Sequence, residues 1–378
     1  MNLSRRSTAA GGVPVLVFFL VLLFSTTGCG LGEVSSAAPS SAAPEGQAIE
    51  PTISQSSPAA ATPSPTATPL PTASRHAPVS TPQPQSIAPP TSVSPTPTPL
   101  TSPCSSEFCV YTDTFLFSRP IGPAGNKAVD GSYRFGSTQG GRRDAHHGVE
   151  FLNSSSTAVL AAADGIVVAA GDDAENLYGP YPNFYGNLVV LEHEVPQDKR
   201  GQFRCTPGSI FTLYAHLSEI HVVEGERIKA ADEIGLVGMS GAATGSHLHF
   251  EVRLGENTYA SVRNPEIWLV PAADSSTGPM GALAGSIIDK YDENISVENI
   301  VIQHLPDGPD QPPDFEVYTH TYEEEALIGQ PPVGESFAIG DLPAGWYRIS
   351  FSYYGLQRHL VQVFPGQMTV TSFVINNQ

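Results

Sequence analysis

The fold of this chain is decided by a short stretch in which histidines alternate with apolar residues, Gly245-Ser246-His247-Leu248-His249-Phe250-Glu251-Val252-Arg253. Because residues i and i+2 of a β-strand point to the same face, His247 and His249 present two imidazoles to one side. The intervening Leu248, Phe250 and Val252 are then free to enter a hydrophobic core. A strand holds such a pair rigidly, so the stretch predicts part of a metal site, against the alternative of two unrelated surface histidines.

The composition divides the chain into a disordered part and a globular part. Its 378 residues are enough for two domains and additional segments. Residues 30–103 consist mostly of Ser, Thr, Pro and Ala and contain no aromatic residue, which predicts a disordered, extended stalk. The 37 acidic residues outnumber the 18 Lys and Arg and give a net charge of −19, which argues against nucleic acid as a partner.

The N-terminal residues are typical of an export signal. Arg5 and Arg6 precede a short apolar run over residues 13–24, and small residues lead to Gly28-Cys29. The ending resembles the bacterial lipoprotein cleavage box, although Thr26 stands where that box usually has Leu. We therefore expect a signal peptide over residues 1–29 and a lipid anchor at Cys29, on the outer face of the cytoplasmic membrane. The alternative is an ordinary secretory signal and a secreted protein.

Three further cysteines follow, at positions 104, 109 and 205. Export permits disulfides, and an odd count predicts one bridge and one spare thiol. Cys104–Cys109 is the local pairing, whereas Cys109–Cys205 would tie the start of the globular part to an internal loop. The sequence leaves both open.

The globular part has an all-β pattern in two blocks. Short strand-like runs separated by Gly or Asp-Gly turns predict one domain over residues 104–272. A small, polar stretch over residues 271–279 marks a boundary, and a second β pattern over residues 281–378 suits a small sandwich. The predicted strands are Val110–Phe117, Val159–Ala162, Gly165–Ala169, Asn187–Glu192, Phe211–His216, Gly285–Asp289, Ile300–Gln303, Phe315–Tyr318, Trp346–Phe351, Leu360–Val363 and Thr369–Val374.

Four pieces of the first block carry polar residues at characteristic spacing. They are His146-x-Gly148-x-Glu150, Tyr214-x-His216, Gly238-Met239-Ser240-Gly241 with Thr244-Gly245, and His247-x-His249. Each is weak alone, but their order and spacing resemble the M23 family of zinc metallopeptidases, the LytM/lysostaphin-type cell-wall endopeptidases. The resemblance covers roughly residues 130–270.

This resemblance implies an antiparallel β-sheet peptidase domain and names its site. His146, Glu150 and His249 would bind Zn²⁺, which in catalytic sites takes three protein ligands and keeps a position for water. His247 would act as general base and His216 would donate to the oxyanion, although the assignment between these two residues stays open. The chain departs from the family at Glu150, where the family has Asp; the extra methylene moves the oxygen by about 1.5 Å or demands another rotamer.

The second block resembles prealbumin-type, carboxypeptidase regulatory-like sandwiches. The similarity rests on Gly285-x-Ile287-x-Asp289 and on the stretch from Leu342 to Tyr347, and it implies a role in binding, spacing or stabilisation. The run Glu323-Glu324-Glu325 predicts a solvated face. His147 is expected to turn away from His146 and to be exposed or at the rim of the cleft.

Together these features predict an exported, lipid-anchored monomer that hydrolyses peptide bonds in peptidoglycan by a zinc-activated water. One alternative is a non-catalytic peptidoglycan-binding regulator that activates other wall hydrolases and keeps the same groove. Another is a structural adhesin or scaffold in which the sandwich dominates.

Overall fold

The computed structural model describes residues 104–105, 107–112, 114–194, 209–272, 278–324, 327, 329 and 333–376. The predicted signal peptide with Cys29, the predicted stalk, Cys205 and Glu325 lie outside the described residues. Within the described part of the chain, none of the helices has the length and apolarity needed to span a bilayer.

The described residues form an all-β structure, as the sequence pattern predicts. Only two short 3₁₀ helices, Tyr259–Ser261 and Pro265–Ile267, interrupt the strands in this part of the chain. The strands in chain order are β1 (Phe108–Tyr111), β2 (Val149–Leu152), β3 (Ala158–Leu160), β4 (Gly165–Asp172), β5 (Asn187–Glu194), β6 (Ser209–Ala215), β7 (Leu217–Ile220), β8 (Arg227–Ile228), β9 (Glu233–Val237), β10 (His247–Leu254), β11 (Val262–Arg263), β12 (Met280–Asp289), β13 (Ile300–Leu305), β14 (Phe315–Thr319), β15 (Phe337–Pro343), β16 (Gly345–Ser352), β17 (Leu356–Val363) and β18 (Met368–Ile375).

A seven-stranded antiparallel sheet carries the predicted site. Its order is β11-β10-β6-β5-β4-β8, and β2 pairs with β10 on the same side as β11. All eight residues of β10 are buried, because neighbouring strands flank it on both sides and side chains cover both faces. Leu248, Phe250 and Val252 enter the main core, as their alternation predicts.

A smaller three-stranded sheet, in the order β3-β9-β7, contributes to the same core. Its apolar residues Val159, Ile234 and Val237 are fully buried. Strand β7 begins directly after β6, so the chain passes from the seven-stranded sheet to the small sheet at a single residue, His216.

The C-terminal block forms two four-stranded sheets, β1-β18-β12-β15 and β14-β13-β16-β17. Residues of both sheets share one hydrophobic core, which includes Ile287 and Phe373 from one sheet and Ile302 and Ile349 from the other. This is the two-layer arrangement of a sandwich. Its resemblance to prealbumin-type domains and the domain boundaries stay predictions.

Strand β1 comes before the peptidase-like block in the chain but pairs with β18 of the C-terminal block. It is shorter than the predicted strand, since it ends at Tyr111. A disulfide joins Cys104 to Cys109 of this strand, which is the local one of the two pairings considered.

Candidate active site

Strand pairing brings the separated motifs to one place. Glu150 on β2 lies directly opposite His249 on β10, and Ala215 at the end of β6 lies opposite His249 on the other side. His216 therefore follows at the edge of the same site, and His146 reaches it from the loop before β2. All five predicted site residues line one groove.

Three of these residues approach each other closely enough to hold one ion. Nitrogen and oxygen atoms of His146, Glu150 and His249 all lie within 4.8 Å of one another. The Nε2 atom of His146 is 3.2 Å from Nδ1 of His249 and 3.7 Å from Oε1 of Glu150. Both histidines are buried, so the cluster is largely shielded from solvent.

Gly148 makes this approach possible. A Cβ atom at this position would lie 2.5 Å from the carbonyl oxygen of Phe250 and 2.8 Å from the ring of His249. Both distances are too short for a side chain, so the glycine between His146 and Glu150 lets β2 lie against β10 at the level of the site.

The outer hydrogen bonds of His146 and His249 fix which ring nitrogen carries the proton. Nδ1 of His146 is 2.8 Å from the carbonyl oxygen of Tyr133, an acceptor, so this nitrogen donates. Nε2 of His249 is 3.1 Å from Oε1 of Glu251 and donates to that carboxylate. When both rings are neutral, these outer bonds leave the two inner nitrogens facing each other as lone pairs. Burial, together with the nearby His249, lowers the pKa of His146 well below its usual value, which keeps the ring neutral.

The other two histidines have the same arrangement. Nδ1 of His216 is 2.8 Å from the carbonyl oxygen of Ser240, and Nδ1 of His247 is 2.9 Å from that of Gly245. Their Nε2 lone pairs remain available inside the groove, and the two ring centroids are 4.8 Å apart. Nε2 of His247 is buried and unbonded among the described residues, 3.5 Å from Oε1 of Glu150.

His216 occupies its position at some conformational cost. Its φ angle is +62°, in the left-handed region that side chains disfavour. The conformation lies at the point where the chain leaves β6, and the backbone N–H of His216 donates to the carbonyl oxygen of Tyr185. Burial, together with the neighbouring His249 and His247, lowers the pKa of His216 to about 3. The ring is therefore neutral in this arrangement.

The sequence analysis missed a buried network behind His249. Glu251 and Arg253 continue the face of β10 that carries the two histidines, and neither has measurable exposure. Arg253 Nε donates to Oε2 of Glu251 over 2.7 Å, and the hydroxyl of Tyr185 donates to Oε1. Burial alone would raise the pKa of Glu251, but the Arg253 guanidinium and the bond from His249 outweigh it and hold that pKa at about 2. The signal was present as two charged residues at alternate positions of an otherwise buried strand.

The groove has a volume of about 280 Å³, and aromatic side chains form much of its wall. Tyr133 stacks on His146 with ring centroids 4.0 Å apart, and Tyr181, Phe184 and Tyr259 line the groove as well. The next residue, Tyr185, packs against Phe184 and is fully buried. His147 also lines the groove but is only 5% exposed, so of the two expected positions it has the rim position and not the exposed one.

Comparisons with known proteins match the part of the chain that contains these site residues. Residues 144–261 match the model of Peptidase family M23. The chain is 30% identical over 138 residues to Peptidoglycan DD-endopeptidase ShyC of Vibrio cholerae, a match that covers 36% of this chain and 26% of that protein. It is 28% identical over 159 residues to Murein hydrolase activator NlpD of Salmonella dublin, covering 41% of this chain and 34% of that protein.

Among solved structures, a zinc-containing peptidase from Vibrio cholerae is 27% identical, with a TM-score of 0.28 and coverage of 38% of this chain and 37% of that one. The chain thus spans only about a quarter to a third of the length of the two curated relatives. The family match nevertheless spans His146, Glu150, His216, His247 and His249. Within residues 144–261, this chain contains a domain of peptidase family M23.

Proposed function

We propose that this chain is a zinc-dependent endopeptidase that hydrolyses peptide bonds in peptidoglycan by a metal-activated water. The observation that carries the proposal is the convergence of His146, Glu150 and His249, with Nε2 of His146 and Nδ1 of His249 3.2 Å apart. Two neutral lone pairs at this distance repel each other, and a cation bound by both nitrogens removes the repulsion.

The donor set suits zinc in type and in spacing. Two imidazoles and one carboxylate form a ligand set found in catalytic zinc sites. Nitrogen atoms at 2.0–2.1 Å from one tetrahedral ion lie roughly 3.4 Å apart, close to the 3.2 Å separation here. His146, Glu150 and His249 would hold the ion. When bound, zinc supplies a Lewis acid and a water whose pKa is lowered toward about 7.

The remaining two histidines of the site would accept and donate protons during the reaction. His247 and His216 are neutral with their Nε2 lone pairs in the groove, so either can accept a proton. We assign His247 as general base, because its Nε2 atom is unbonded and lies next to Glu150. His216 can donate a hydrogen bond from Nε2 only after it has gained a proton there, since its other proton is held by Ser240. A substrate peptide would lie along the aromatic wall of the groove.

The proposal extends to location and partners. A lipid anchor at Cys29 and the Pro-rich stalk would present the domain, as a monomer, to the peptidoglycan outside the cytoplasmic membrane. The sequence features of residues 1–103 and the wall-directed names of the relatives support this.

A second candidate is a non-catalytic activator of other wall hydrolases. The similarity to a murein hydrolase activator favours it. The five site residues favour the enzyme, because an activator needs only the groove and not the inward lone pairs.

The deciding experiment measures two quantities on the purified full chain and on a His247→Ala variant. We expect one zinc per chain in both proteins, and release of soluble muropeptides from isolated peptidoglycan only by the wild type. Equal release by both proteins would remove the enzyme proposal. Zinc binding with no release by either would favour the activator, and no zinc in the wild type would reject the metal site.

A further inference from the structure

The loop that carries His146 has little regular structure of its own. Between Tyr133 and His147 the chain forms turns, and two of the hydrogen bonds within this loop join the backbone of His146 to Gly136 and Ser137. The N–H of Gly136 donates to the carbonyl oxygen of His146 over 2.7 Å, and the N–H of His146 donates to that of Ser137 over 3.0 Å. The position of the His146 ring therefore depends on the position of residues 136–137.

The C-terminal block holds these residues through Glu323. The N–H of Glu323 donates to the carbonyl oxygen of Gly136 over 3.0 Å, and Oε2 of Glu323 accepts from the N–H of Thr138 over 2.6 Å. The N–H of Gly136 thus donates to His146, and the carbonyl oxygen of Gly136 accepts from Glu323. A chain of two hydrogen bonds connects the C-terminal block with the candidate metal ligand.

The side chain of Tyr322, also in the C-terminal block, packs against the same loop. Its ring meets Phe135 edge to face at 5.0 Å, and both belong to a small core with Ala145, Val262 and Leu327. Gly136 has a φ of +77°, and a Cβ there would lie 2.8 Å from the Tyr322 ring. The glycine permits both the turn and the contact.

The residue next to His146 is held in the same way. Nε2 of His147 lies 3.2 Å from Oε2 of Glu324, and the His147 ring stacks on Tyr259 with centroids 3.8 Å apart. The run is therefore not simply a solvated face: Glu323 and Glu324 both contact the loop, although the Glu324 side chain is still 42% exposed. The sequence could not show this, because the contact joins residues about 180 positions apart.

We infer that Glu323 and Glu324 of the C-terminal block are positioning residues for the metal site, acting on His146 through Gly136, Thr138 and His147. The inference rests on the proposed zinc site. A ligand must be held within about 0.5 Å of its productive position, and a turn-rich loop alone does not provide that precision. Partners outside the ligand shell typically change metal affinity by about 10–100-fold.

Variants of the full chain can test this through zinc affinity, measured by chelator competition, and through the visible absorption of the Co²⁺-loaded protein. Glu323→Ala should weaken zinc binding about tenfold or more and change the Co²⁺ spectrum. Glu323→Gln should keep both near wild type, because the amide oxygen can still accept from Thr138. Glu298→Ala, at an exposed position of the same block, removes the same charge and should change neither.

The outcomes separate this inference from the function on which it rests. If the wild type binds zinc and Glu323→Ala binds it equally, or if Glu323→Ala lowers only the melting temperature, the positioning role is rejected while the proposed function stands. If the wild type binds no zinc, both the positioning role and the proposed function are rejected. Should Glu323→Ala fail to fold, Glu324→Ala provides the same test at a partly exposed side chain, with a smaller expected loss of affinity.

Discussion

The Nε2 atom of His146 lies 3.2 Å from the Nδ1 atom of His249, and the opposite nitrogen of each ring donates to an outer partner, the Tyr133 carbonyl oxygen or the Glu251 carboxylate. If both rings are neutral, two buried lone pairs face each other and have no favourable interaction without a cation. The arrangement therefore suits a cation held between the two rings, which is the site proposed above.

Removal of one proposed ligand should abolish metal binding at this site. We expect His146→Ala to weaken zinc binding by more than about 100-fold, and zinc to stop raising the melting temperature of that variant. His221→Ala is the matched control, because His221 is partly exposed and lies outside the groove. Calorimetric titration of metal-free proteins provides the measurement. Unchanged affinity in His146→Ala would show that the ion, if any, binds elsewhere.

Glu150 is the position at which the chain departs from the family, and two substitutions separate its charge from its length. We expect Glu150→Asp to keep or raise peptidase activity, because the shorter carboxylate retains the charge in the family's usual form. Glu150→Gln should lose most zinc affinity, since a neutral amide is a poor ligand. Both affinity and muropeptide release should be measured. A collapse of zinc affinity in Glu150→Asp would show instead that the site is built around the longer side chain.

Glu251 should affect the metal without touching it. Its carboxylate fixes the tautomer and orientation of His249, so Glu251→Gln should weaken zinc binding about 10–100-fold. Removing one member of the buried pair with Arg253 also costs roughly 3–5 kcal/mol of folding free energy. Tyr185→Phe is the milder variant, because it keeps the Glu251–Arg253 pair and deletes only the hydroxyl that donates to Glu251 and accepts from Arg253. If both variants bind zinc as tightly as wild type, the buried network serves folding alone.

The Glu251 carboxylate makes a pH-dependent contribution to the free energy of unfolding. Its folded-state pKa of about 2 lies below the ordinary value of 4.5, so the stabilisation is present above pH 4.5 and is lost as the pH falls toward 2. Urea unfolding of metal-free wild type and Glu251→Gln between pH 3 and 6 can measure it. We expect the difference in unfolding free energy to shrink as the pH falls. A difference that stays constant over this range would contradict the assigned pKa.

His247 and His216 should separate metal binding from turnover. We expect alanine at either position to leave zinc affinity within a few-fold of wild type, because neither belongs to the proposed ligand set. The rate of muropeptide release should fall by about 10²–10⁴-fold for a lost general base. If His247→Ala loses zinc instead, His247 is a ligand and the assignment must be revised.

Much of the fold was readable from local patterns. Alternation of apolar residues predicted half of the strands β2–β11 and all but one of the strands β12–β18, because the period of side chains in a strand is strictly two. The predicted strands did not include β2, β7, β8, β9, β11 and β15, and β1 was predicted too long. The pairing of β1 with β18 could not be predicted, since it joins residues about 260 positions apart.

The sequence by itself determined the five residues of the candidate site, because their types and spacing form a recognisable combination. Only the tertiary structure decided which nitrogen of each histidine faces inward, since that depends on outer partners such as Tyr133 and Glu251. It also brought Glu323 and Glu324 to the loop of His146. Hydrogen-bond partners distant in the chain leave no local periodicity, so they become visible only when strands and loops are packed together.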